Sequence, residues 1–189
     1  ITKESLAQWN QQKDEADVST GYHAIEFLLW GQDLSADGPG ERPVSDFIAG
    51  SPSNDRRRAY LSAVTALLLD DLNFLVESWE PGKDNYAKQF LMGDEKEQLQ
   101  AIFTSLVTLT GFELASERMG TALDSGDQED EQSCFSDNTH NDFIANIQGV
   151  NNVYLGKYGK FTGKSIDDLL REHNPALASA IVVQLQKVE

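Results

Sequence analysis

An imidazole and a carboxylate three residues apart, His23 and Glu26, are the pair in this chain best placed to do chemistry. They lie in the run GYHAIEFLLWG over residues 21–31, in which most other side chains are large and apolar. The final glycine is typical of a helix C-terminus, and Thr20 or Ser19 can cap the N-terminus. Because helix positions i and i+3 share a face, we expect His23 and Glu26 to point together into a largely apolar region of a buried helix.

Two interpretations of this pair are open. The imidazole and the carboxylate can hydrogen-bond to each other and serve structure alone, which is the commoner case. The same two groups also suit zinc or iron, because both are donors for borderline divalent cations. Two ligands do not complete a metal site, so the rest of the chain has to supply the others.

Composition limits the classes of function. The chain has 189 residues, of which 40% are hydrophobic, enough for one large domain or two small ones. A net charge of −16 argues against nucleic acid and anionic membrane surfaces as partners, and it attracts cations. The single cysteine, Cys134, excludes an internal disulfide and a cysteine-rich zinc site. We recognise no signal peptide and expect no transmembrane segment in this chain.

Apolar residues at helical spacing predict helices through most of the chain, and no stretch is typical of a strand or hairpin. The loop over residues 32–54 is rich in glycine and proline, and its Arg42 and Asp46 can fold back over the motif helix. The predicted fold class is all-α, a helical bundle. Besides the motif helix, the predicted helices span residues 1–17, 55–79, 86–91, 94–123, 136–154, 165–172 and 175–187.

Two carboxylates continue the apolar stripe of the helix over residues 94–123. At 100° per residue, Glu113 and Glu117 both fall within about 20° of Leu106. Carboxylates in a core are costly unless they are paired, hydrogen-bonded or metal-bound, and Arg118 is the neighbouring partner. The alternative is that this helix end leaves the core and both glutamates are solvated.

The helix predicted from residue 136 repeats the pattern. Its apolar stripe, projected backwards from Ile144, meets His140 and then Asp137, a second imidazole and carboxylate three residues apart. The alternative is that Asp137 is only an N-cap and His140 lies in the first turn. The third histidine, His173, lies at a predicted helix end, where it suits the C-terminal carbonyls.

The spacing Gly-x-His-x-x-Glu that ends at Glu26, followed by FLLWG, resembles the signature of the imelysin family. That family includes the imelysin peptidases, an insulin-cleaving membrane protease, iron-regulated bacterial surface proteins and the imelysin-like domain of periplasmic iron-uptake proteins. Three further blocks, in the same order, are similar to family blocks, so the chain is identified as a member. These blocks are GERP over residues 40–43, ELASERM over residues 113–119 and DQEDEQSCFSDNTH over residues 127–140.

The resemblance implies an all-helical, imelysin-like fold of two related bundles, with the motif near their interface. It implies that residues 1–54 are the end of the first bundle, with the motif helix and its loop, and that residues 55–189 form the second. Relative to the family the chain is expected to be truncated at both ends, so missing portions of the fold come from elsewhere, such as a separate chain. It also implies export to the periplasm or bacterial outer surface and regulation by iron.

The leading hypothesis is a metal-binding protein of bacterial iron acquisition, which takes iron, or zinc as the second choice, as an ion or within an iron-bearing ligand. Its metal ligands would be His23 and Glu26. The candidates to complete or support the site are Glu113, Glu117, His140 and Asp137. Arg42 and Arg118 would balance charge or hold an anionic group, and the further binding candidates are Asp46 and Ser133.

Two other functions are kept as alternatives. A metallopeptidase of the imelysin type would use the same ligands, an open water position and Glu117 or Glu113 as base, although the motif lacks the second histidine of familiar zinc peptidases. An acidic-polysaccharide-binding module would need a local basic patch at Arg56–Arg58 to offset the net charge. A di-iron carboxylate bundle ranks low, because its Glu-x-x-His order does not occur. We predict metal capture rather than peptide cleavage at an enzymatic rate.

Overall fold

The computed structural model describes residues 1–14 and 17–188, and these are helical through most of their length. The predicted all-α class is therefore confirmed. The chain divides into two compact units, one formed by Ile1–Gln100 with Ser133–Asp137 and one by Ala101–Gln132 with Asn138–Glu189. The expected division into family bundles at residue 54 stays a prediction.

The first unit holds the motif helix and the elements that position it. The motif helix is α2 (Gly21–Trp30), and it packs chiefly against α3 (Pro52–Trp79), the longest helix of this unit. The elements of this unit are α1 (Lys3–Trp9), α2 (Gly21–Trp30), a 3-10 turn (Val44–Phe47), α3 (Pro52–Trp79), α4 (Tyr86–Met92) and the beginning of α5 (Glu95–Val107).

One apolar contact joins the three helices around the motif. Leu6 of α1 and Val64 of α3 have no exposed surface, and Leu28 of α2 keeps only 5% of its surface exposed. Burying side chains of this size contributes about 1.5 to 3 kcal/mol each. This cluster therefore holds the face of α2 that carries Leu28 against the other two helices.

Residue Ser19 fixes the chain just before α2. Its N–H donates to Asn10 Oδ1 at 2.9 Å, and its hydroxyl donates to the Leu6 carbonyl at 3.2 Å. Its own carbonyl accepts from the Tyr60 hydroxyl of α3 at 2.8 Å, and partial burial raises the pKa of Tyr60. The next residue but one, Gly21, has φ +86°, a conformation that favours glycine. These bonds set where the motif helix starts.

The expectation that α2 is buried on nearly every side is wrong. Among its ten residues, all of them described by the structure, Glu26 and Leu28 are the buried ones. The apolar Phe27, Leu29 and Trp30 keep 38%, 42% and 37% of their surfaces exposed. Composition alone overstated the burial, because the first unit covers only one side of this helix.

The second unit is built around α7 (Thr139–Leu155), which packs against α8 (Ile166–His173), α9 (Pro175–Val188) and a π-helical segment (Thr108–Gly120). A short antiparallel hairpin also occurs, although none was predicted, because two-residue strands are too short to show an alternating pattern. The elements of this unit are the end of α5, the π-helical segment (Thr108–Gly120), α6 (Thr121–Ser125), a 3-10 turn (Gln128–Asp130), α7 (Thr139–Leu155), β1 (Lys157–Tyr158), β2 (Phe161–Thr162), α8 (Ile166–His173) and α9 (Pro175–Val188).

The π-helical segment changes which side chains face inward. A π-helix bonds residue i to i+5, so side chains advance by less than 100° per residue. Leu114 is buried with 4% of its surface exposed, whereas the Glu113 side chain is 43% exposed and Glu117 is exposed. Glu113 and Arg118, five residues apart, lie 3.8 Å apart. The expected interior position of the two glutamates is wrong, because that projection assumed α-helical turns.

Helix α7 begins later than predicted, at Thr139 with Asn138 as its N-cap. Asp137 precedes the helix with φ +54° and is exposed. Within the helix Thr139 is buried and His140 is exposed. The prediction that His140 and Asp137 continue the apolar stripe of this helix is therefore wrong. In the first turn the buried residue is Thr139 and not His140, and Asp137 lies outside the helix.

Two helices of the described chain, Pro52–Trp79 and Glu95–Ser125, are long and apolar enough to cross a membrane by length and composition. Their best windows are 6% buried. Helix α3 carries Asp70 and Asp71 in its C-terminal half, and an aspartate at a membrane centre costs about 2.5 to 3.5 kcal/mol. Asp70 also pairs with Lys3 of α1. The expected absence of a transmembrane segment stays a prediction.

We expect Tyr154→Phe to lower the free energy of unfolding by about 1 kcal/mol. The Tyr154 hydroxyl is buried and donates to Asp167 Oδ1 at 3.3 Å, and Asp167 Oδ2 accepts from Arg171 Nε at 2.6 Å. Urea unfolding measures the change. Tyr158→Phe is the matched control, because Tyr158 is 73% exposed, and it should stay within about 0.5 kcal/mol of the parent. Equal stability of both variants would contradict the role of this bond.

A pH dependence follows from the same tyrosine. Burial, and then the neighbouring Asp167 carboxylate, raise the pKa of Tyr154 above its ordinary value of 10.0. The neutral hydroxyl is thus favoured by the folded state, so this contribution to stability is full below pH 10.0 and is lost as pH rises through the folded-state pKa. Urea midpoints measured across alkaline pH should fall less steeply for Tyr154→Phe than for the parent or Tyr158→Phe.

Candidate functional site

The two motif side chains bond directly to each other. His23 Nδ1 and Glu26 Oε2 lie 2.7 Å apart, one helical turn along α2. Glu26 keeps 8% of its surface exposed, whereas the His23 side chain is 51% exposed. The second imidazole nitrogen, Nε2, makes no hydrogen bond to any residue that the structure describes. The interpretation in which the pair satisfies each other is confirmed, and it leaves one imidazole nitrogen available.

A third residue, Ser136, completes the bonding of the carboxylate. Its backbone N–H and its hydroxyl both donate to Glu26 Oε1, at 2.9 and 2.7 Å. The sequence does not predict this role, because Ser136 lies 110 residues from Glu26 and no local pattern connects them. The neighbouring Phe135 packs edge-on against Phe27 of α2, with ring centroids 5.0 Å apart. This contact holds the serine against the motif helix.

The loop after α2 returns to the same place. The Gly40 N–H donates to the Phe135 carbonyl at 3.0 Å, and the Arg42 N–H donates to the Trp30 carbonyl at 2.8 Å. A side chain at Gly40 would not fit, because its Cβ would lie 2.7 Å from the Trp30 carbonyl oxygen. The loop thus fastens the end of α2 to the segment that carries Ser136.

Arg42 folds back onto the motif helix, as expected. Its guanidinium donates to the Phe27 carbonyl at 3.3 Å, lies 5.5 Å from the Phe27 ring centroid and donates to Asp46 Oδ2 at 3.3 Å. Arg57 of α3 also lies 3.4 Å from that Asp46 oxygen. Arg42 and Asp46 are therefore paired with each other in this unit, and their roles in binding stay predictions.

A cavity of about 740 Å³ adjoins this loop within the first unit. Its walls combine the aromatic rings of Phe27 and Trp30 with several carboxylates and the Arg42 guanidinium. The acidic lining residues are Asp33, Asp37, Glu41 and Asp46. Their excess over the single arginine makes this side of the motif helix attractive to cations.

The other predicted site residues are divided between the units. In the first unit, Ser133 is buried with 6% of its surface exposed, and Asp137 is exposed. The second unit holds Glu113, Glu117, Arg118 and His140. The predicted convergence of His140 or Glu113 on His23 stays a prediction.

The described side chains around the motif do not form a complete metal site. Among the described residues, no group of three or more His, Cys, Asp or Glu side chains could hold a metal. The motif does offer one imidazole whose Nδ1 is engaged by a carboxylate, the usual arrangement of a metal-binding histidine. The described residues therefore fit a single attachment point, to which other ligands have to be added.

The arginine run that a polysaccharide-binding function would need is largely paired. Arg57 lies 3.4 Å from Asp46 Oδ2, and Arg58 donates to Asp55 Oδ1 at 2.6 Å. Each pairing lowers the local positive charge that an acidic polymer would meet. The geometry of this run thus gives little support to that alternative.

These features define a class of protein, an all-helical one whose glycine-bounded motif helix carries a histidine held by a buried carboxylate. The family model of imelysin, a peptidase M75 family, matches residues 1–189, and the chain belongs to the imelysin family. A search of the curated proteins found no match. Membership associates the chain with metals at the level of the family.

We expect Gly40→Ala to destabilise the protein by about 1 to 3 kcal/mol, because the loop backbone has to move away from the end of α2. The matched control is Gly38→Ala, since a Cβ at Gly38 meets no atom within 4 Å. Thermal and urea unfolding of both variants measure the difference. If the Gly40 and Gly38 variants unfold alike, the close approach of this loop is not a feature of the protein.

Proposed function

We propose that this imelysin-family chain binds iron, as an ion or within an iron-bearing ligand, at the motif histidine, and that it serves bacterial iron acquisition. The observation that carries the proposal is the pairing of His23 Nδ1 with the buried Glu26 carboxylate at 2.7 Å. This pairing supports a metal-binding role because it leaves Nε2 of a half-exposed imidazole available as a ligand.

The physical reason lies in the tautomers of imidazole. A neutral ring that donates from Nδ1 carries its lone pair on Nε2, the form in which histidine binds metals. Imidazole nitrogen suits iron and zinc alike, so geometry at one nitrogen does not choose between them. The net charge of −16 and the acidic cavity beside α2 raise the local concentration of any cation.

The remaining metal ligands are part of the proposal. The candidates that the sequence gives for them are His140, Glu113, Glu117 and Asp137. An iron-bearing ligand would instead bring most of its own donors and need only the one imidazole. Single variants at these four positions distinguish the two cases, because only the first case makes any of them necessary.

The peptidase alternative rests on the name of the family, which includes a peptidase class. Under that alternative Glu117 or Glu113 would act as base. In the second unit Glu113 lies 3.8 Å from Arg118, and Glu117 is exposed. We continue to propose capture of metal rather than cleavage of peptides.

Export to the periplasm or the bacterial outer surface is proposed from the family resemblance. The expected packing of this chain against further portions of the family fold is supported by apolar surface on α3. Large side chains there are half exposed or more in the described chain, and burying them against further helices would be favourable. They are Leu69, Phe74, Leu75, Val76 and Trp79.

Calorimetric titration with ferrous, ferric and zinc ions tests the proposal. We expect binding by the parent and at least about tenfold weaker binding by His23→Ala, which loses the imidazole. His173→Ala is the matched control, because His173 is exposed at the end of α8, and it should bind like the parent. Affinity should fall in acid, since a protonated imidazole cannot bind a metal. Equal binding by the His23 and His173 variants would refute the site.

A peptide-cleavage assay on the same proteins separates the two functions. We expect no cleavage at an enzymatic rate with iron or zinc present. Cleavage by the parent that a chelator abolishes and that is lost in His23→Ala, but kept in His173→Ala, would establish the peptidase instead.

A further inference from the structure

Both oxygens of the Glu26 carboxylate accept hydrogen bonds. Oε2 bonds to His23 Nδ1 at 2.7 Å, and Oε1 accepts from the Ser136 N–H at 2.9 Å and from the Ser136 hydroxyl at 2.7 Å. The residue is 8% exposed. A carboxylate in such a place needs these donors, because burying it without them costs several kcal/mol.

This bonding argues against Glu26 as a metal ligand, although its position three residues after His23 predicts it as one. A metal at Oε1 would have to displace a backbone N–H that cannot rotate away. That step would leave a part-buried Ser136 donor without a partner. A metal on Nε2 lies on the side of the imidazole ring away from Nδ1, so it cannot also reach the Oε2 that bonds to Nδ1.

We propose that Glu26 orients His23 rather than binding the metal, and that Ser136 is the positioning residue that keeps Glu26 in place. The carboxylate holds the proton of the imidazole on Nδ1 and so keeps the lone pair on Nε2. The effect of this orientation on metal binding rests on the proposed function, whereas the tautomer of His23 can be measured without a metal. Only the imidazole then contacts the ion.

The surroundings of Ser136 suit this role. Phe135 packs against Phe27 of the motif helix at 5.0 Å between ring centroids, and its carbonyl accepts from the Gly40 N–H. The two Ser136 donors are therefore aimed at Glu26 by packing on either side. The segment that carries Ser136 therefore acts on His23 only through the Glu26 carboxylate.

An isosteric variant, Glu26→Gln, gives a sharp test. The two donors of Ser136 require an acceptor, so the amide oxygen should take the place of Oε1. The amide NH₂ group then faces His23 Nδ1, which has to accept, and the proton moves to Nε2. Nε2 then carries no lone pair, so zinc affinity should fall by about 10- to 100-fold, the usual effect of such outer partners.

The tautomer is read in metal-free protein labelled with ¹⁵N-histidine, from long-range ¹H–¹⁵N spectra at mildly alkaline pH. His23→Ala assigns the signal among the three histidines. We expect the parent to carry the proton on Nδ1 and Glu26→Gln to carry it on Nε2. Ser136→Ala should give a mixture of the two tautomers with weaker zinc binding, and Ser136→Thr, which keeps the hydroxyl, should restore both.

The outcomes separate the inference from the proposed function. Glu26→Gln that abolishes zinc binding while the proton stays on Nδ1 would make Glu26 a ligand and overturn the inference. Ser136→Ala that matches the parent in tautomer and in zinc affinity would overturn the role of Ser136. If the parent does not bind zinc or iron, the proposed function fails, and an inverted tautomer in Glu26→Gln would still support the orienting role of the carboxylate.

Discussion

The buried carboxylate of Glu26 is the constraint on which the first unit depends. A charge with 8% of its surface exposed needs donors at both oxygens, and one helix cannot supply enough of them. His23 bonds to one oxygen from the same helix, and Ser136 supplies both donors to the other. Satisfying this one group therefore brings together two segments that are 110 residues apart.

The same requirement organises the loop that follows the motif helix. Once Phe135 is packed against Phe27, its carbonyl becomes the acceptor for the Gly40 N–H. Arg42 then reaches the carbonyl of Trp30 with its backbone and that of Phe27 with its side chain. A small residue is needed at Gly40 because three pieces of backbone meet there. Gly40 thus serves close approach rather than flexibility.

A histidine held in this way is chemically asymmetric. One nitrogen is committed to the protein, and the other is available at a half-exposed position. Under the proposed function, this imidazole is one metal ligand, and the other donors have to come from elsewhere, because the described residues hold no group of three or more His, Cys, Asp or Glu suited to a metal. In that proposal Glu26 orients the imidazole, and only the imidazole contacts the ion.

The helical class and the His23–Glu26 pair of the candidate site could be predicted from local sequence. The helical class, the long helix ending at Trp79 and the pairing of His23 with Glu26 depend on neighbours three and four residues apart, which a sequence displays directly. The projection to Glu113 failed because local backbone geometry changed from α to π. A buried face inferred from hydrophobic periodicity presupposes 100° per residue, so the inference fails where the helix is a π-helix.

By itself the sequence determined the helices, the spacing of the motif and the resemblance to the imelysin family, because each is written in adjacent residues. The tertiary structure decided that Ser136 bonds to Glu26, that His23 keeps half its surface exposed and that Leu114 rather than Glu113 is buried. Such partners depend on how distant segments pack and on which backbone donors are left over. A buried carboxylate accepts whichever donors the packing brings, and the spacing of residues along the chain does not encode that choice.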